Sequence, residues 1–219
     1  MSFTYILLDL DGTLTDSFEG ITKSFNYALK ALCGYEETNQ DTLSGIIGPP
    51  LRDLYIKNYG VDPELAEKLI EKYRERFSTV GLYENKVYDG VPEMLAALKE
   101  KGKVLALASA KPEEFCVKIL EHYGLLPYFD ETVGASLDGS CDTKEGVIKE
   151  ALRRLGLTSE TKREAVMVGD REMDILAAHE KGLAAVAVGY GYGREEDLRA
   201  CRPEFFVNDV AGLRDLLLR

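Results

Sequence analysis

Short apolar runs alternate with segments of helical period along most of the chain. This pattern is typical of a parallel β-sheet that is covered on both faces by helices. The predicted strands, which are aliphatic or β-branched as buried strands should be, cover residues 5–9, 104–109, 132–135, 165–169, 185–188 and 205–207. We therefore predict an α/β fold built on one parallel sheet.

The helices between these strands carry recognisable start and stop signals. Apolar residues recur at helical spacing from Val91 onward, with Pro92 suited to the first turn and Gly102 to the C-terminal cap. Two further helices are predicted over residues 112–124 and 143–155. These helices would cover the faces of the sheet.

Residues 15–87 interrupt the alternation, because they read as helices with no convincing strand among them. One of these helices opens at Asp62-Pro63, a cap followed by a residue suited to the first turn. We therefore predict a core domain formed by residues 1–14 and 88–219. A helical cap domain, residues 15–87, would be inserted after the first strand.

Two carboxylates follow the first predicted strand in the segment Asp9-Leu10-Asp11-Gly12-Thr13. Ligands of open α/β sheets collect at the carboxyl ends of the strands, and residues two apart in an extended segment point to the same side. One carboxylate could attack phosphorus, and the second could protonate the leaving alcohol and then activate water. An acidic turn with Gly12 for its geometry explains the same residues.

Asp170 and Asp174 follow the predicted strand 165–169 and lie one helical turn apart. Their oxygens suit the hard cation Mg²⁺, which would offset the charge repulsion between a carboxylate and a phosphate dianion. An acidic helix start, favoured by the helix dipole, is the alternative explanation.

A lysine and a short strand–helix link are the remaining candidates for phosphate binding. Lys144 stands near a predicted helix start, where its charge does not favour the helix dipole, so it is either a phosphate ligand or a solvated lysine. Ser109 and Ala110 link a buried strand to a helix and could offer a hydroxyl and backbone N–H groups to phosphate. Ser109 could equally be an ordinary helix cap.

These four signals occur in order at the ends of successive predicted strands. The chain thereby resembles the haloacid dehalogenase-like hydrolase superfamily over nearly its whole length. The matching segments are residues 9–13, 105–109, Lys144 and residues 169–174. The resemblance implies a Rossmann-like three-layer core with an inserted α-helical cap, and a magnesium-dependent phosphatase that works through an aspartyl-phosphate.

The resemblance also implies roles for individual residues. Asp9 would be the nucleophile and Asp11 the acid and base, while Ser109, Ala110 and Lys144 would bind the phosphate. Mg²⁺ would be held by Asp9, by the main-chain carbonyl of Asp11 and by Asp170. Asp174 would support the metal directly or through water.

The predicted cap looks like that of the phosphoglycolate phosphatase-like subgroup, and residues 88–91 and 133–139 look closest to phosphoglycolate phosphatases and 5'-nucleotidases. We therefore expect a small phosphorylated metabolite as substrate, with phosphoglycolate or a nucleoside 5'-monophosphate favoured over pyrophosphate and sugar phosphates. These molecules share the same phosphoryl end, so the residues above do not distinguish among them. In the cap, a Gly-Pro-Pro turn precedes Arg52, which either contacts the far side of the substrate or is solvated.

Two alternative functions stay open. A phosphomutase similar to β-phosphoglucomutase would use the same scaffold, although such relatives often carry Val at the position of Thr13. A non-catalytic phosphate-sensing module would keep the aspartates and the metal, but it would need neither Asp11 nor a large helical insertion.

Composition narrows the possible partners and the compartment. A net charge of −11 opposes binding to a nucleic acid polymer or an anionic membrane, and no window approaches the roughly 20 apolar residues of a membrane span. The four cysteines show no CxxC pair, so reduced thiols are expected, and Cys141 reads as an ordinary loop thiol. We expect a cytoplasmic protein, a monomer or small homo-oligomer.

The segment Gly189-Tyr190-Gly191-Tyr192-Gly193 lacks nucleotide-loop spacing and is interpreted as a flexible loop at the site's edge.

Overall fold

The structure is a computed structural model that describes residues 2–136 and 143–219. The chain divides into two compact units. One unit comprises Met1–Thr15 and Val87–Arg219, and the other comprises Asp16–Lys86.

A six-stranded parallel sheet forms the centre of the first unit. Its strands are β1 (Tyr5–Leu8), β4 (Val104–Pro112), β5 (Glu131–Ala135), β6 (Ala165–Gly169), β7 (Ala184–Val188) and β8 (Phe205–Val207). Two short strands, β2 (Thr15–Asp16) and β3 (Lys86–Val87), pair with each other in a separate sheet. The order of strands in the large sheet is β5-β4-β1-β6-β7-β8. The first strand therefore lies in the middle of the sheet.

Helices accompany both units. In the second unit they are α1 (Phe18–Cys33), α2 (Gln40–Gly45), α3 (Leu51–Tyr59) and α4 (Pro63–Arg76), followed by a π-helical turn, Phe77–Gly81. In the first unit they are α5 (Val91–Glu100), α6 (Glu113–His122), α7 (Lys144–Arg154), α8 (Glu172–Glu180), α9 (Glu195–Ala200) and α10 (Val210–Leu217), with short 3₁₀ turns at Leu126–Tyr128 and Thr161–Glu164. The predicted α/β fold with a parallel sheet is confirmed.

The sheet is the core of the first unit. Ile6, Leu7 and Leu8 of β1 are fully buried, and the neighbouring strands β4 and β6 are buried over most of their lengths. One buried cluster joins strand residues such as Met167 to helix residues such as Ile148. Burial on both faces explains why these strands read as continuous apolar runs.

The predicted helix start at Asp62-Pro63 is found in the structure. The Asp62 carboxylate accepts a hydrogen bond from the backbone N–H of Leu65 at 2.8 Å, which caps α4. One boundary differs from the prediction, because β4 continues to Pro112 and α6 begins only at Glu113. The pairing of β4 with β5 shifts register between Ala108 and Pro112, so the end of β4 is an irregular, extended segment rather than a helix start.

Among the described residues, no helix combines the length and the apolar character that a membrane crossing needs.

Candidate active site

The carboxyl ends of three adjacent strands bring the predicted residues together. β1 pairs with β4 on one side and with β6 on the other, and Leu8 is aligned with both Leu107 and Val168. The residues that follow these three positions therefore lie side by side at one edge of the sheet. They are Asp9 and Asp11 after β1, Ser109 in β4, and Asp170 after β6.

Lys144, the first residue of α7, is buried against this edge with 4% of its surface exposed. Its ammonium lies 2.8 Å from Asp9 Oδ1, 2.8 Å from Asp174 Oδ1 and 3.0 Å from the carbonyl oxygen of Ala108. Two of these contacts, to Asp9 and to Ala108, are hydrogen bonds, and the contact with Asp174 is an ion pair. Although burial opposes its charged form, the carboxylates of Asp174 and Asp9 outweigh that effect and raise the pKa of Lys144.

Asp170 is fully buried beneath the loop that follows β7. The backbone N–H of Tyr192 donates to Asp170 Oδ2 at 2.7 Å, whereas Oδ1 has no hydrogen-bond partner among the described residues. Gly12, at φ +79°, and Gly191 pack so closely on Asp170 that a Cβ at either position would overlap its carboxylate. The glycine-rich loop thus borders the site, as predicted, and none of its residue types indicated that its backbone holds Asp170.

Burial raises the pKa of two carboxyl groups, that of Asp170 just before α8 and that of Asp174 within it. It raises the pKa of Asp170 well above the ordinary value, and the nearby charges of Asp174 and Asp9 raise it further. Burial likewise raises the pKa of Asp174 to about 6, against the opposing effect of Lys144. Asp174 Oδ2 also accepts a hydrogen bond from the backbone N–H of Arg171 at 3.0 Å, which closes the first turn of α8.

Three of the predicted metal ligands surround one point. Carboxylate oxygens of Asp9, Asp170 and Asp174 all lie within 4.8 Å of one another, and all three residues are buried. Hard carboxylate oxygens are the donors that Mg²⁺ and Ca²⁺ prefer. The unpartnered, buried Oδ1 of Asp170 is a donor that a cation would satisfy, so the residues present fit a divalent metal.

The carboxylate of Asp11 is turned to a different partner. Its Oδ2 lies 2.8 Å from the ammonium of Lys111, and both side chains are largely buried. Lys111 was missed by the sequence analysis. Its spacing from Ser109 could not have indicated it, because the pairing of β4 is irregular between Ala108 and Pro112.

Formal charge in this group is unbalanced. Four carboxylates, from Asp9, Asp11, Asp170 and Asp174, face two ammonium groups, from Lys111 and Lys144. The six side chains therefore carry a formal charge of −2, which equals the charge that one divalent cation would neutralise.

The remaining predicted residues have simpler surroundings. Ser109 is buried, and its hydroxyl accepts a 3.4 Å hydrogen bond from the N–H of Lys111, while Ala110 adjoins it in β4. Arg52, the second residue of α3, is half exposed and donates from Nε to Glu67 at 2.6 Å. Cys141 lies outside the described residues.

Comparison with known proteins agrees with this geometry. A family model described as haloacid dehalogenase-like hydrolase matches residues 6–188. A 5'-nucleotidase of Pseudomonas aeruginosa is 42% identical, with 99% of this chain and 96% of that protein aligned. Tyrosine-protein kinase PtkA of Mycobacterium tuberculosis is 39% identical over 87% of this chain, which corresponds to 64% of that protein.

Solved structures agree as well. A structure described as a predicted phosphatase from Clostridium acetobutylicum has a TM-score of 0.93 and 42% identity, and the match covers 100% of this chain and 99% of that one.

The raised pKa of Asp170 predicts that Asp170→Asn stabilises the metal-free protein at pH 8. The substitution removes a buried charge and keeps an oxygen for the N–H of Tyr192, so we expect the free energy of unfolding to rise by roughly 1–3 kcal/mol. Because the pKa of Asp170 is higher in the folded protein than in the unfolded chain, its carboxyl group lowers the free energy of unfolding as pH rises from the ordinary pKa to the folded-state pKa. The difference between variant and wild type should therefore shrink as pH falls toward 4.

Urea unfolding in the presence of a chelator, at several pH values, measures this difference. Asp215→Asn is the matched control, because Asp215 is exposed and pairs with Arg214 at the surface. A metal-free Asp170→Asn variant that is less stable than wild type at pH 8 would contradict the assignment of a buried, uncompensated charge.

Proposed function

The chain belongs to the haloacid dehalogenase-like hydrolase family, and on that premise we propose that it is a magnesium-dependent phosphatase of small phosphomonoesters. The observation that carries the proposal is the buried Asp9 carboxylate, which Lys144 holds at 2.8 Å within the cluster formed with Asp170 and Asp174. Phosphatase chemistry also agrees with the matching family model and with the 5'-nucleotidase named above.

In the proposed reaction Asp9 attacks the phosphorus atom and forms an aspartyl-phosphate. Asp11 protonates the leaving alcohol and then takes a proton from the water that hydrolyses the intermediate. A divalent cation held by Asp9 and Asp170, with the main-chain carbonyl of Asp11, would supply positive charge that offsets the repulsion between carboxylate and phosphate. Asp174, whose oxygens already face Lys144 and the N–H of Arg171, would support this cation directly or through water.

Lys144 acts mainly on Asp9 in this proposal. It hydrogen-bonds Asp9 and the carbonyl of Ala108 and forms an ion pair with Asp174, so it fixes the direction of the nucleophile and can also contact a phosphate oxygen. Ser109 and Ala110, at the irregular end of β4, would bind the remaining phosphate oxygens.

Nucleoside 5'-monophosphates and phosphoglycolate are the proposed substrates. The first is supported by the 5'-nucleotidase at 42% identity, and phosphoglycolate phosphatase of Vibrio vulnificus is 31% identical over 97% of this chain. A panel of these esters, pyrophosphate and glucose 1-phosphate, with product analysis, separates hydrolysis from phosphomutase activity.

Phosphoryl transfer to a tyrosine hydroxyl is a second candidate, favoured by the 39% identity to a tyrosine-protein kinase. It differs from monoester hydrolysis in the donor, a nucleoside triphosphate that leaves as the diphosphate, and in the acceptor, a tyrosine hydroxyl instead of water. Incubation with ATP and a tyrosine-containing peptide, followed by mass spectrometry of the peptide, tests it. An unmodified peptide alongside rapid release of phosphate from monoesters would exclude it.

Asp9→Asn should abolish turnover of p-nitrophenyl phosphate in the presence of Mg²⁺. The amide cannot act as the nucleophile, so we expect kcat to fall by at least about 10⁴-fold while the fold is kept. Chelation of the metal should abolish the wild-type activity, and added Mg²⁺ should restore it. Asp215→Asn, with the same change at an exposed position, should keep full activity. Absence of turnover by the wild-type protein on any phosphomonoester would overturn the proposal.

Arg52→Ala tests the proposed contact with the far side of the substrate. Its exposed ion pair with Glu67 contributes at most about 1 kcal/mol, so Arg52 can exchange that partner for a substrate anion. We expect KM for phosphoglycolate, which has a carboxylate at its far side, to rise about 10-fold, equivalent to about 1.4 kcal/mol. KM for p-nitrophenyl phosphate should change less.

Glu67→Gln is the control, because it breaks the same ion pair and leaves Arg52 in place. An unchanged KM for every good substrate of Arg52→Ala would remove Arg52 from the binding site.

A further inference from the structure

The two aspartates that follow β1 have separate ammonium partners. Asp9 Oδ1 pairs with Lys144, whereas Asp11 Oδ2 pairs with Lys111 at 2.8 Å. The second oxygen of Asp11, Oδ1, is buried and has no hydrogen-bond partner in the described part of the chain. One oxygen of Asp11 is thus held and the other is left available for a reacting group.

The backbone of Lys111 is fixed where β4 departs from regular pairing. Its N–H donates to the hydroxyl of Ser109 at 3.4 Å, and its carbonyl accepts from the Sγ of Cys116 at 3.5 Å. The register shift between Ala108 and Pro112 lies at this position. Such irregularities redirect side chains, and here the buried Lys111 is directed to Asp11.

The ammonium of Lys144 is paired with other residues, not with Asp11. Its ammonium already lies within 3.0 Å of three oxygens, on Asp9, Asp174 and Ala108. The orientation of Asp11 therefore depends on Lys111.

We propose that Lys111 is a positioning residue for Asp11 in the hydrolysis of the aspartyl-phosphate, an inference that rests on the proposed phosphatase function. The ammonium holds Oδ2 and thereby directs Oδ1 toward the attacking water. Loss of Lys111 leaves Asp11 free to rotate, so the carboxylate is no longer in place as a general base.

The bonds made and broken in the two steps show which step needs Asp11, and therefore which step Lys111 affects. In the first step Asp9 forms a bond to phosphorus, and the bond to the leaving oxygen breaks with its electron pair on that oxygen. In the second, Asp11 Oδ1 takes a proton from water, the water oxygen bonds to phosphorus, and the Asp9–phosphorus bond breaks with its electron pair returning to the carboxylate. With p-nitrophenyl phosphate the leaving nitrophenolate needs no proton, so only the second step requires Asp11.

Lys111→Met should therefore slow the second step alone. We expect kcat for p-nitrophenyl phosphate to fall about 100-fold and KM to fall with it, so that kcat/KM changes by less than about 5-fold. Stopped-flow measurement should show a burst of about one nitrophenolate per active site as the phosphorylated enzyme accumulates. Lys111→Arg, which keeps a positive donor, should retain kcat within about 10-fold of wild type.

Lys118→Met is the matched control, because Lys118 lies on the exposed side of α6, seven residues further along the chain, and should keep wild-type kinetics without a new burst. A fall in kcat/KM equal to the fall in kcat, with no burst, would indicate a structural or phosphate-binding role and overturn the inference. So would an unchanged kcat. If Lys111→Met does not fold by circular dichroism, Lys111→Gln must give the same burst. Inactivity of the wild-type protein would instead overturn the proposed function.

Discussion

The buried ammonium of Lys144 is the interaction on which the rest of the site depends. It joins the end of β1 at Asp9, the carbonyl of Ala108 in β4 and the start of α8 at Asp174. An ammonium taken out of water costs several kcal/mol unless charged and polar partners replace the water, and here two carboxylates and a carbonyl oxygen surround it. Removal of this one side chain would leave two buried carboxylates facing each other, so the geometry of three structural elements follows from it.

The lysines do not neutralise the site completely. Asp170 has the N–H of Tyr192 on one oxygen and no hydrogen-bond partner among the described residues on the other, and its pKa is raised by burial and by Asp174 and Asp9. Such a group destabilises the folded, metal-free protein. It also provides a strong site for a divalent cation, because binding of the cation removes the cost. Asp170 thus lowers the stability of the metal-free protein at the position where the proposed chemistry needs a bound cation.

Much of the fold and the site could be predicted because both follow from one rule. Apolar runs predicted the six strands, and in a parallel sheet the residues after adjacent strands must meet at one edge, which brought Asp9 and Asp170 together. Lys111 was missed because its direction depends on a register shift in β4 that no residue type signals. The contact of Tyr192 with Asp170 was missed because it uses a backbone N–H, which every residue other than proline carries.

The two neighbouring aspartates show how one strand end can supply two chemical roles. Asp9 shares its ammonium with Asp174 and lies in the cluster suited to a metal, so Lys144 and a bound cation would together hold it for attack on a phosphate. Asp11, two residues on, has Lys111 at one oxygen and no hydrogen-bond partner among the described residues at the other. Identical side chains thus have different partners, which fits the proposed division into a nucleophile and an acid and base. The β4 irregularity that directs Lys111 is therefore as much a part of this division as the spacing of the aspartates.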